Sequence, residues 1–206
     1  MTASTRCDPR RLLKRPGAYR SLMWLLGADT GMRRLVAQVL RPQPGDRVLD
    51  VGCGPGRLVP FLPGVSYVGI DGNDSYLARA RSLFPGARFE RFDLAGDCSG
   101  FPDRDFDLIV ACALLHHLPD AAAGHLLAFC RERLRPGGRL VTLDCVRRPG
   151  QHPVARLLNA LDRGRFVRDA PGYAALVRRE FADVATRDYD NLLRVPYSHV
   201  VLECRK

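Results

Sequence analysis

Short apolar runs recur through the middle of the chain, and each is followed by a polar or glycine-containing turn. Runs of this length, bounded by turn residues, are typical of strands buried on both faces of a sheet. Helical segments separate them, so strands and helices alternate. This alternation predicts a parallel sheet. The five predicted strands are 48–51, 67–71, 88–92, 106–111 and 134–144.

Both flanks of this core carry apolar patterns of their own. Residues 19–40 have the spacing of one or two amphipathic helices, with a break near Gly27 to Gly31. After the fifth strand the pattern predicts two short helices and then a final pair of strands. Their expected bounds are 154–161 and 171–179 for the helices, and 181–188 and 197–204 for the strands.

The first predicted strand runs directly into three glycines at alternate positions, in the sequence V-L-D-V-G-C-G-P-G from Val48 to Gly56. Glycine lacks a Cβ, so it accepts positive φ and lets a ligand lie against bare backbone. We expect a helix to begin over Arg57 to Phe61 and to be short because of Pro60. A strand, a glycine turn and a helix N-terminus together predict a nucleotide-type site at the carboxyl edge of the sheet.

The spacing of the glycines narrows the class of ligand. A dinucleotide-binding loop reads G-x-G-x-x-G, with its third glycine one residue later than in the G-x-G-x-G of Gly52, Gly54 and Gly56. Asp50 stands just before this turn, and an acid there suits a ligand with an ammonium group better than a pyrophosphate. The alternative is a tight glycine turn in an α/β protein of another kind.

Two later strands also end in acids. Asp71 follows the glycine turn by about 20 residues, where nucleotide-binding folds place a ribose-binding carboxylate. The next helix is expected to be capped by Asp74 or Ser75. Asp93 ends the third strand. A single acid at a strand end is often only a turn former, so the argument depends on the whole set.

Further strings follow in order: F-D-L-I-V, L-H-H-L-P-D and L-R-P-G-G-R-L. With the glycine turn and the acids, they make the segment from Arg47 to Asp144 resemble class I S-adenosylmethionine-dependent methyltransferases. The resemblance implies an α/β fold with a Rossmann-like, seven-stranded, mostly parallel sheet, helices on both faces and an antiparallel last strand. It also implies S-adenosyl-L-methionine as cofactor and S-adenosyl-L-homocysteine as its product.

The resemblance also assigns parts of the cofactor to residues. The glycine turn wraps the methionine end, Asp71 binds the ribose, Asp93 accepts the adenine amino group, and the N–H of Leu94 faces a ring nitrogen. Tyr19 is expected to close over the cofactor. The full expected set is Tyr19, Asp50, Gly52, Cys53, Gly54, Gly56, Asp71, Gly72, Asn73, Asp93, Leu94, Ala111 and Cys112.

On this reading the chain is organised as one methyltransferase domain, residues 16–206, behind a poorly ordered basic N-terminus, residues 1–15. Within the domain, residues 16–44 form a helical cap and residues 45–145 form the cofactor-binding core. Residues 146–206 supply the substrate-side helices and the final strand pair.

Two histidines follow the fourth strand, at the edge of the sheet where the transferred methyl group is expected. An imidazole titrates near neutrality, so His116 or His117 is a candidate base for the acceptor's proton. His116 is the preferred acceptor-side residue. The alternative for each histidine is that it caps or packs the following helix.

Three arginines lie together in the sequence R-G-R-F-V-R after the fifth strand. Guanidinium groups bind carboxylate or phosphate in bidentate fashion. Arg163, Arg165 and Arg168 are therefore candidate ligands for an anionic small acceptor, and the alternative is a solvated basic surface.

Composition bears on the partners and the cellular compartment of the protein more than on the reaction. The net charge of +10 allows nucleic acid as a partner, but the arginines are spread along the chain. The seven cysteines form no C-x-x-C pair, which favours reduced thiols in the cytoplasm and argues against a metal site. No apolar run approaches the roughly 20 residues of a membrane span, and none follows the basic N-terminus as a secretion signal requires.

We therefore expect methyl transfer to an O, N or C nucleophile of a small molecule, such as a secondary metabolite, a sugar, a lipid-linked intermediate or a quinone-type ring. An RNA methyltransferase, favoured by the charge, is the alternative. A methyltransferase-like protein that binds the cofactor poorly and acts as an interaction partner is the alternative of another class. The sequence leaves the oligomeric state open.

Overall fold

The computed structural model has a seven-stranded sheet at its centre. It describes residues 27–93, 100–161, 164–190 and 192–206. Its described strands are β1 (Arg47–Val51), β2 (Ser66–Asp71), β3 (Arg88–Arg91), β4 (Phe106–Cys112), β5 (Leu134–Cys145), β6 (Asp183–Tyr189) and β7 (His199–Arg205). Its described α-helices are α1 (Ala28–Leu35), α2 (Asp74–Leu83), α3 (Asp120–Arg133), α4 (Pro153–Leu161) and α5 (Ala170–Val177).

The strand order across the sheet is β3-β2-β1-β4-β5-β7-β6. Strands β1 to β5 run parallel to one another, and β7 is antiparallel to both β5 and β6. The expected fold class is confirmed. Because β1 has β2 on one side and β4 on the other, the chain order switches there. The crevice at the carboxyl ends of β1 and β4 is the place where such sheets bind ligands.

Helices cover both faces of the sheet because side chains alternate in direction along each strand. On one face Leu49 and Ile109 join a buried apolar cluster with Leu126 of α3 and Tyr173 of α5. On the other face a second cluster is built from Leu35, Leu40, Val48, Leu77 and Val110. The core thus holds both faces of the sheet and fixes the strand ends that carry the site.

The segment after the glycine turn differs from the prediction. No α-helix begins over Arg57 to Phe61: turns extend from Gly54 to Leu58, and only a 3₁₀-helix, Val59–Phe61, follows. Pro60 has no backbone N–H and its ring obstructs the preceding turn, so an α-helix cannot build through it. The site therefore lacks the expected contribution from a helix N-terminus here.

The expected break at Gly27 to Gly31 is only partly present. Helix α1 begins after Gly27, whose φ is 78°, and continues through Gly31 into a π-helical turn, Val36–Leu40. A Cβ at Gly31 would lie 2.2 Å from the carbonyl oxygen of Leu192, so this glycine permits close packing instead of ending the helix.

The predictions for residues 1–15, and those for the cap before residue 27, lie outside the described residues. Among the described residues, no helix is long and apolar enough to cross a membrane.

Candidate active site

The glycine turn after β1 has the backbone that its sequence predicts. Gly52, Gly54 and Gly56 have φ values of 72°, 53° and 77°, all in the left-handed region. A Cβ at Gly56 would press on Phe84 at 3.0 Å, whereas a Cβ at Gly54 would meet nothing within 4 Å. Gly56 therefore serves packing, and Gly54 leaves open space beside its backbone.

Asp71, at the end of β2, connects the glycine turn to the turn that follows β2. Its Oδ2 accepts a hydrogen bond from the N–H of Gly54 at 2.9 Å, and its Oδ1 accepts one from the N–H of Asn73 at 2.8 Å. A carboxylate has about four acceptor positions, so each oxygen keeps capacity for a further donor. The same carboxylate can therefore fix the shape of both turns and accept ribose hydroxyls.

The other residues predicted around this turn have separate places. Asn73, not Asp74 or Ser75, is the N-cap of α2, because its Oδ1 accepts from the N–H groups of Ser75 and Tyr76 at 3.0 and 3.2 Å. The predicted cap is thus wrong by one residue. Gly72 and Asp93 are exposed. The predicted residues Tyr19 and Leu94 lie outside the described residues.

Asp50 lies below the glycine turn, and its side chain is buried. Its Oδ2 accepts a hydrogen bond from the hydroxyl of Tyr67 at 2.7 Å. Burial raises the pKa of Asp50 from 3.8 to about 7; the hydrogen bond from Tyr67 opposes this rise, and the nearby charge of Asp71 adds to it. A cationic group bound here would favour the ionised form of Asp50. Sequence reasoning missed Tyr67 as a partner of Asp50. The parallel pairing of β1 with β2, in which Tyr67 lies opposite Val48, brings the two side chains together.

The cysteines of the site behave as packing residues. Cys53 is buried, and a Cβ at Gly69 would lie 2.9 Å from its Sγ. Burial and the charge of Asp50 raise the pKa of Cys53 above its usual range, and burial with the charges of Asp50 and Asp144 raises that of Cys112. Both thiols therefore stay protonated and are poor nucleophiles. Ala111, next to Cys112, is buried in the sheet.

The chain leaves β4 through a strained turn that brings it against the glycine turn. Ala113 has a φ of 54°, which is uncommon for a residue with a Cβ, and its N–H donates to the carbonyl of Leu143 at 2.7 Å. The side chain of Leu114 then lies 3.1 Å from the position of a Cβ at Gly52. The next residues form a 3₁₀-helix, Leu115–His117, which is therefore held beside the candidate cofactor site.

His116, in this 3₁₀-helix, is buried and paired with an acid from β5. Its Nδ1 lies 2.7 Å from Oδ1 of Asp144, and its backbone N–H donates to the same oxygen at 3.2 Å. The His117 ring, 4.1 Å from that of His116 between centroids, is exposed. Sequence reasoning placed Asp144 at a strand end but not in the site, because the pairing of β4 with β5 that brings it to His116 is not marked in the sequence.

The two predicted substrate arginines that the structure describes, Arg165 and Arg168, have different surroundings. Arg168 directs all five guanidinium N–H donors at protein acceptors: Asp120, which takes two, and the carbonyls of Leu115, Leu118 and Phe166. No donor is left for a bidentate anion, so this geometry does not support Arg168 as a substrate ligand. Arg165 is exposed, and Arg163 lies outside the described residues.

Within the part of the chain that the structure describes, no three His, Cys, Asp or Glu side chains are grouped so as to hold an ion. The chemistry of the site therefore has to be read from the carboxylates, the glycine turn and His116.

Comparison with known proteins defines the class of this domain. Residues 48–138 match the family model described as "Methyltransferase domain". The chain is similar to a trans-aconitate 2-methyltransferase of Methylobacterium nodulans, with 40% identity over 110 residues, which cover 52% of this chain and 40% of the relative. It is also similar to a trans-aconitate 2-methyltransferase of Variovorax paradoxus, with 36% identity over 133 residues, 63% of this chain and 49% of that protein. The chain spans about half the length of such relatives.

Solved structures agree on the fold. A TehB-like S-adenosylmethionine-dependent methyltransferase from Corynebacterium glutamicum aligns over 97% of this chain and 100% of its own, with a TM-score of 0.69 and 21% identity. The pyocyanin biosynthetic protein PhzM aligns over 97% of this chain and 61% of its own, with a TM-score of 0.70 and 22% identity. The expected family agrees with both comparisons: residues 48–138 match a methyltransferase domain, and the solved S-adenosylmethionine-dependent methyltransferase shares the fold of this chain.

S-adenosylmethionine is the cofactor of this family, and the residues present fit it. Open space faces the backbone of Gly54, where a Cβ would meet no atom within 4 Å. Asp71 keeps acceptor capacity for hydroxyl groups beside that space, and Asp50 offers a carboxyl to a cationic group. These carboxylates are the acceptors that ribose hydroxyls and the ammonium group of an amino-acid moiety require.

Proposed function

We propose that this protein transfers the methyl group of S-adenosylmethionine to a small-molecule acceptor. The observation that carries the proposal is the joining of three parts at one edge of the sheet. These are the open glycine turn tied to Asp71, the buried Asp50, and His116 on a segment that packs on Gly52 through Leu114. Cofactor and acceptor groups would meet between them.

The cofactor supplies a methyl group made electrophilic by its sulfonium. The chain then has to hold that group and the acceptor in line, which alone can contribute much of the rate enhancement. Asp71 and the backbone at Gly54 orient the cofactor. Asp50, at the end of β1 just before the glycine turn, offers its carboxyl to a cationic group of the cofactor. His116 is the candidate to receive the acceptor's proton, and His117 is the exposed alternative.

Several finer assignments belong to the same proposal. Tyr19, Leu94 and Asp93 keep the roles predicted above, and the division into cap, core and substrate-side segment stays a proposal. We place the reaction in the cytoplasm, because the five cysteines that the structure describes as free thiols suit a reducing compartment.

The acceptor class follows from the site more than from the relatives. Two relatives named as trans-aconitate 2-methyltransferases raise the possibility of an anionic carboxylate acceptor. Such an acceptor needs cationic donors, and Arg168 has none to spare. A neutral small molecule with a nucleophilic O, N or C atom fits these side chains better.

The first test is calorimetric titration of the purified protein with S-adenosylmethionine and with S-adenosylhomocysteine. Micromolar binding of either is the expected result. A folded protein that binds neither contradicts the proposal and favours the interaction-protein alternative.

The second test separates acceptors. Transfer of labelled methyl is measured with small-molecule probes and with transfer RNA, at increasing salt. Labelled RNA, together with RNA binding that falls steeply with salt, would favour the RNA methyltransferase alternative, because phosphate contacts release counterions.

A further inference from the structure

Asp144 is the buried acid that faces His116 from the end of β5. We propose that Asp144 is a positioning residue that orients His116 as a general base, and that the acceptor is therefore protic, with an O–H or N–H at the methylated atom, and not a carboxylate. This inference rests on the proposed methyl transfer and names the substrate class and a residue for it.

The hydrogen bonds define which nitrogen of His116 is basic. Oδ1 of Asp144 lies 2.7 Å from Nδ1 of the ring and also accepts the backbone N–H of His116 at 3.2 Å. A carboxylate only accepts, so the neutral ring carries its proton on Nδ1. Nε2 then holds the lone pair, and the tautomer follows from this network.

The position of the pair suits proton transfer from an acceptor. Leu114 packs on Gly52 of the glycine turn, and His116 follows two residues later. On the other side, the N–H of Phe166 donates to the carbonyl of His116 at 3.0 Å. His116 is therefore held between the glycine turn and the segment that follows α4, where cofactor and acceptor are expected to meet.

A capping role alone does not account for this acid. Asp144 is 1% exposed, and its Oδ2 has no hydrogen-bond partner among the described residues. Burial raises the pKa of Asp144, and the hydrogen bonds from the side chain and backbone of His116 oppose that rise. A buried carboxylate with an unused oxygen is costly unless it is paired. An imidazolium at His116 supplies that partner during the reaction.

Other titratable groups lie around the pair on the elements packed against it. His117 lies beside His116 on the same 3₁₀-helix, and His199 of β7 also lies near His116. Tyr173 of α5 and Cys112 of β4 lie near Asp144. Burial lowers the pKa of His199 to about 4, and burial raises those of Cys112 and Tyr173. His199, Cys112 and Tyr173 therefore stay neutral near pH 7.

The class of acceptor follows from this chemistry. The acceptor atom forms its bond to the methyl carbon while the C–S bond breaks and its electron pair stays on sulfur, and the acceptor's proton passes to Nε2 of His116. A carboxylate has no proton to lose at neutral pH, and the charge of Asp144 would repel it. A hydroxyl or an amine needs a base of this kind.

The test reads the tautomer of His116 in the whole protein with S-adenosylhomocysteine bound. Histidine is labelled with ¹⁵N, and the His116 signals are assigned from a His116→Gln spectrum. We expect the neutral ring to carry its proton on Nδ1. In Asp144→Asn, whose amide oxygen can still cap the 3₁₀-helix, we expect the pH midpoint of these signals to fall by about one to three units.

Two results would overturn the inference: a proton on Nε2 in the unaltered protein, or a pH midpoint that Asp144→Asn leaves in place, as a purely capping role predicts. If Asp144→Asn does not fold, the tautomer in the unaltered protein decides. Calorimetry with the cofactor, and a second spectrum recorded without S-adenosylhomocysteine, keep this result separate from the proposed function. The expected tautomer in a protein that binds no cofactor would remove only the proposed function.

Methyl transfer to three probes tests the substrate class. Catechol carries hydroxyls, phenethylamine carries an amine, and trans-aconitate carries only carboxylates. We expect methyl transfer to catechol or phenethylamine. In Asp144→Asn we expect the kcat of that transfer to fall and the acidic limb of its pH–rate profile to shift. Transfer to trans-aconitate that Asp144→Asn leaves undiminished would refute the assignment. Where no probe is methylated, the ¹⁵N spectra decide.

Discussion

Replacing Arg168 separates a structural role from substrate binding. In Arg168→Ala the carbonyls of Leu115, Leu118 and Phe166 lose their donor. The bonds to Leu115 and Leu118 are partly buried, and each unsatisfied carbonyl there costs about 1 kcal/mol, so the free energy of unfolding falls by about 2 kcal/mol. The bond to Phe166 is exposed and adds little. The ion pair adds little because Asp120 is exposed. In a domain of this size, the loss lowers the Tm by about 4 to 8 °C.

The matched control is Arg165→Ala, since Arg165 was predicted for the same substrate role but is exposed. We expect it to change the free energy of unfolding by less than about 0.5 kcal/mol. Both variants are measured by urea unfolding, by calorimetric titration with the cofactor and by transfer of labelled methyl to the small-molecule probes. The reasoning is refuted if Arg168→Ala unfolds like the unaltered protein but loses methyl transfer, because that pattern belongs to a substrate ligand.

Three further predictions concern the cofactor-binding edge. Gly54→Ala is expected to weaken cofactor binding by about tenfold or more, or about 1.4 kcal/mol; Gly137→Ala, at a similar φ of 75° and with similar open space, is expected to leave calorimetric affinity unchanged. Asp71→Ala is expected to weaken cofactor binding by roughly 1–3 kcal/mol, and an unchanged titration curve would remove its assignment. For Asp50 the pKa is about 7 in the folded protein and 3.8 ordinarily, so its contribution to stability is complete below pH 3.8 and is lost as pH rises through 7. The cofactor-free protein should therefore lose about 4 kcal/mol of unfolding free energy across that range, which urea unfolding at several pH values checks. If the unfolding free energy of Asp50→Asn depends on pH with the same slope as that of the unaltered protein, the prediction is wrong.

The strands and the glycine turn were predictable because their signals are local. The run 106–111 becomes β4, Phe106–Cys112, and the run 48–51 becomes β1, Arg47–Val51. Apolar runs ended by glycine or an acid carry enough information to place a buried parallel strand within a residue or two. The positive φ at Gly54 follows from the same local pattern.

The partnerships across the sheet were not visible in the same way. His116 and Asp144 are 28 residues apart, and they meet only because β4 and β5 are neighbours. Arg168 fails as a predicted ligand for a different reason: three of its acceptors are backbone carbonyls, which every residue has and no side-chain pattern marks. Contacts of this kind need the tertiary structure.

The carboxylate of Asp71, which joins two turns by accepting from Gly54 and Asn73, has a consequence for turnover. These turns are shaped when the protein folds, so the entropy of ordering them is not charged to cofactor binding. On the proposed assignments these turns contact the adenosine and amino-acid parts of the cofactor, which S-adenosylhomocysteine also has. S-adenosylhomocysteine is therefore expected to stay bound and inhibit, so the steady rate depends on how quickly this product is removed.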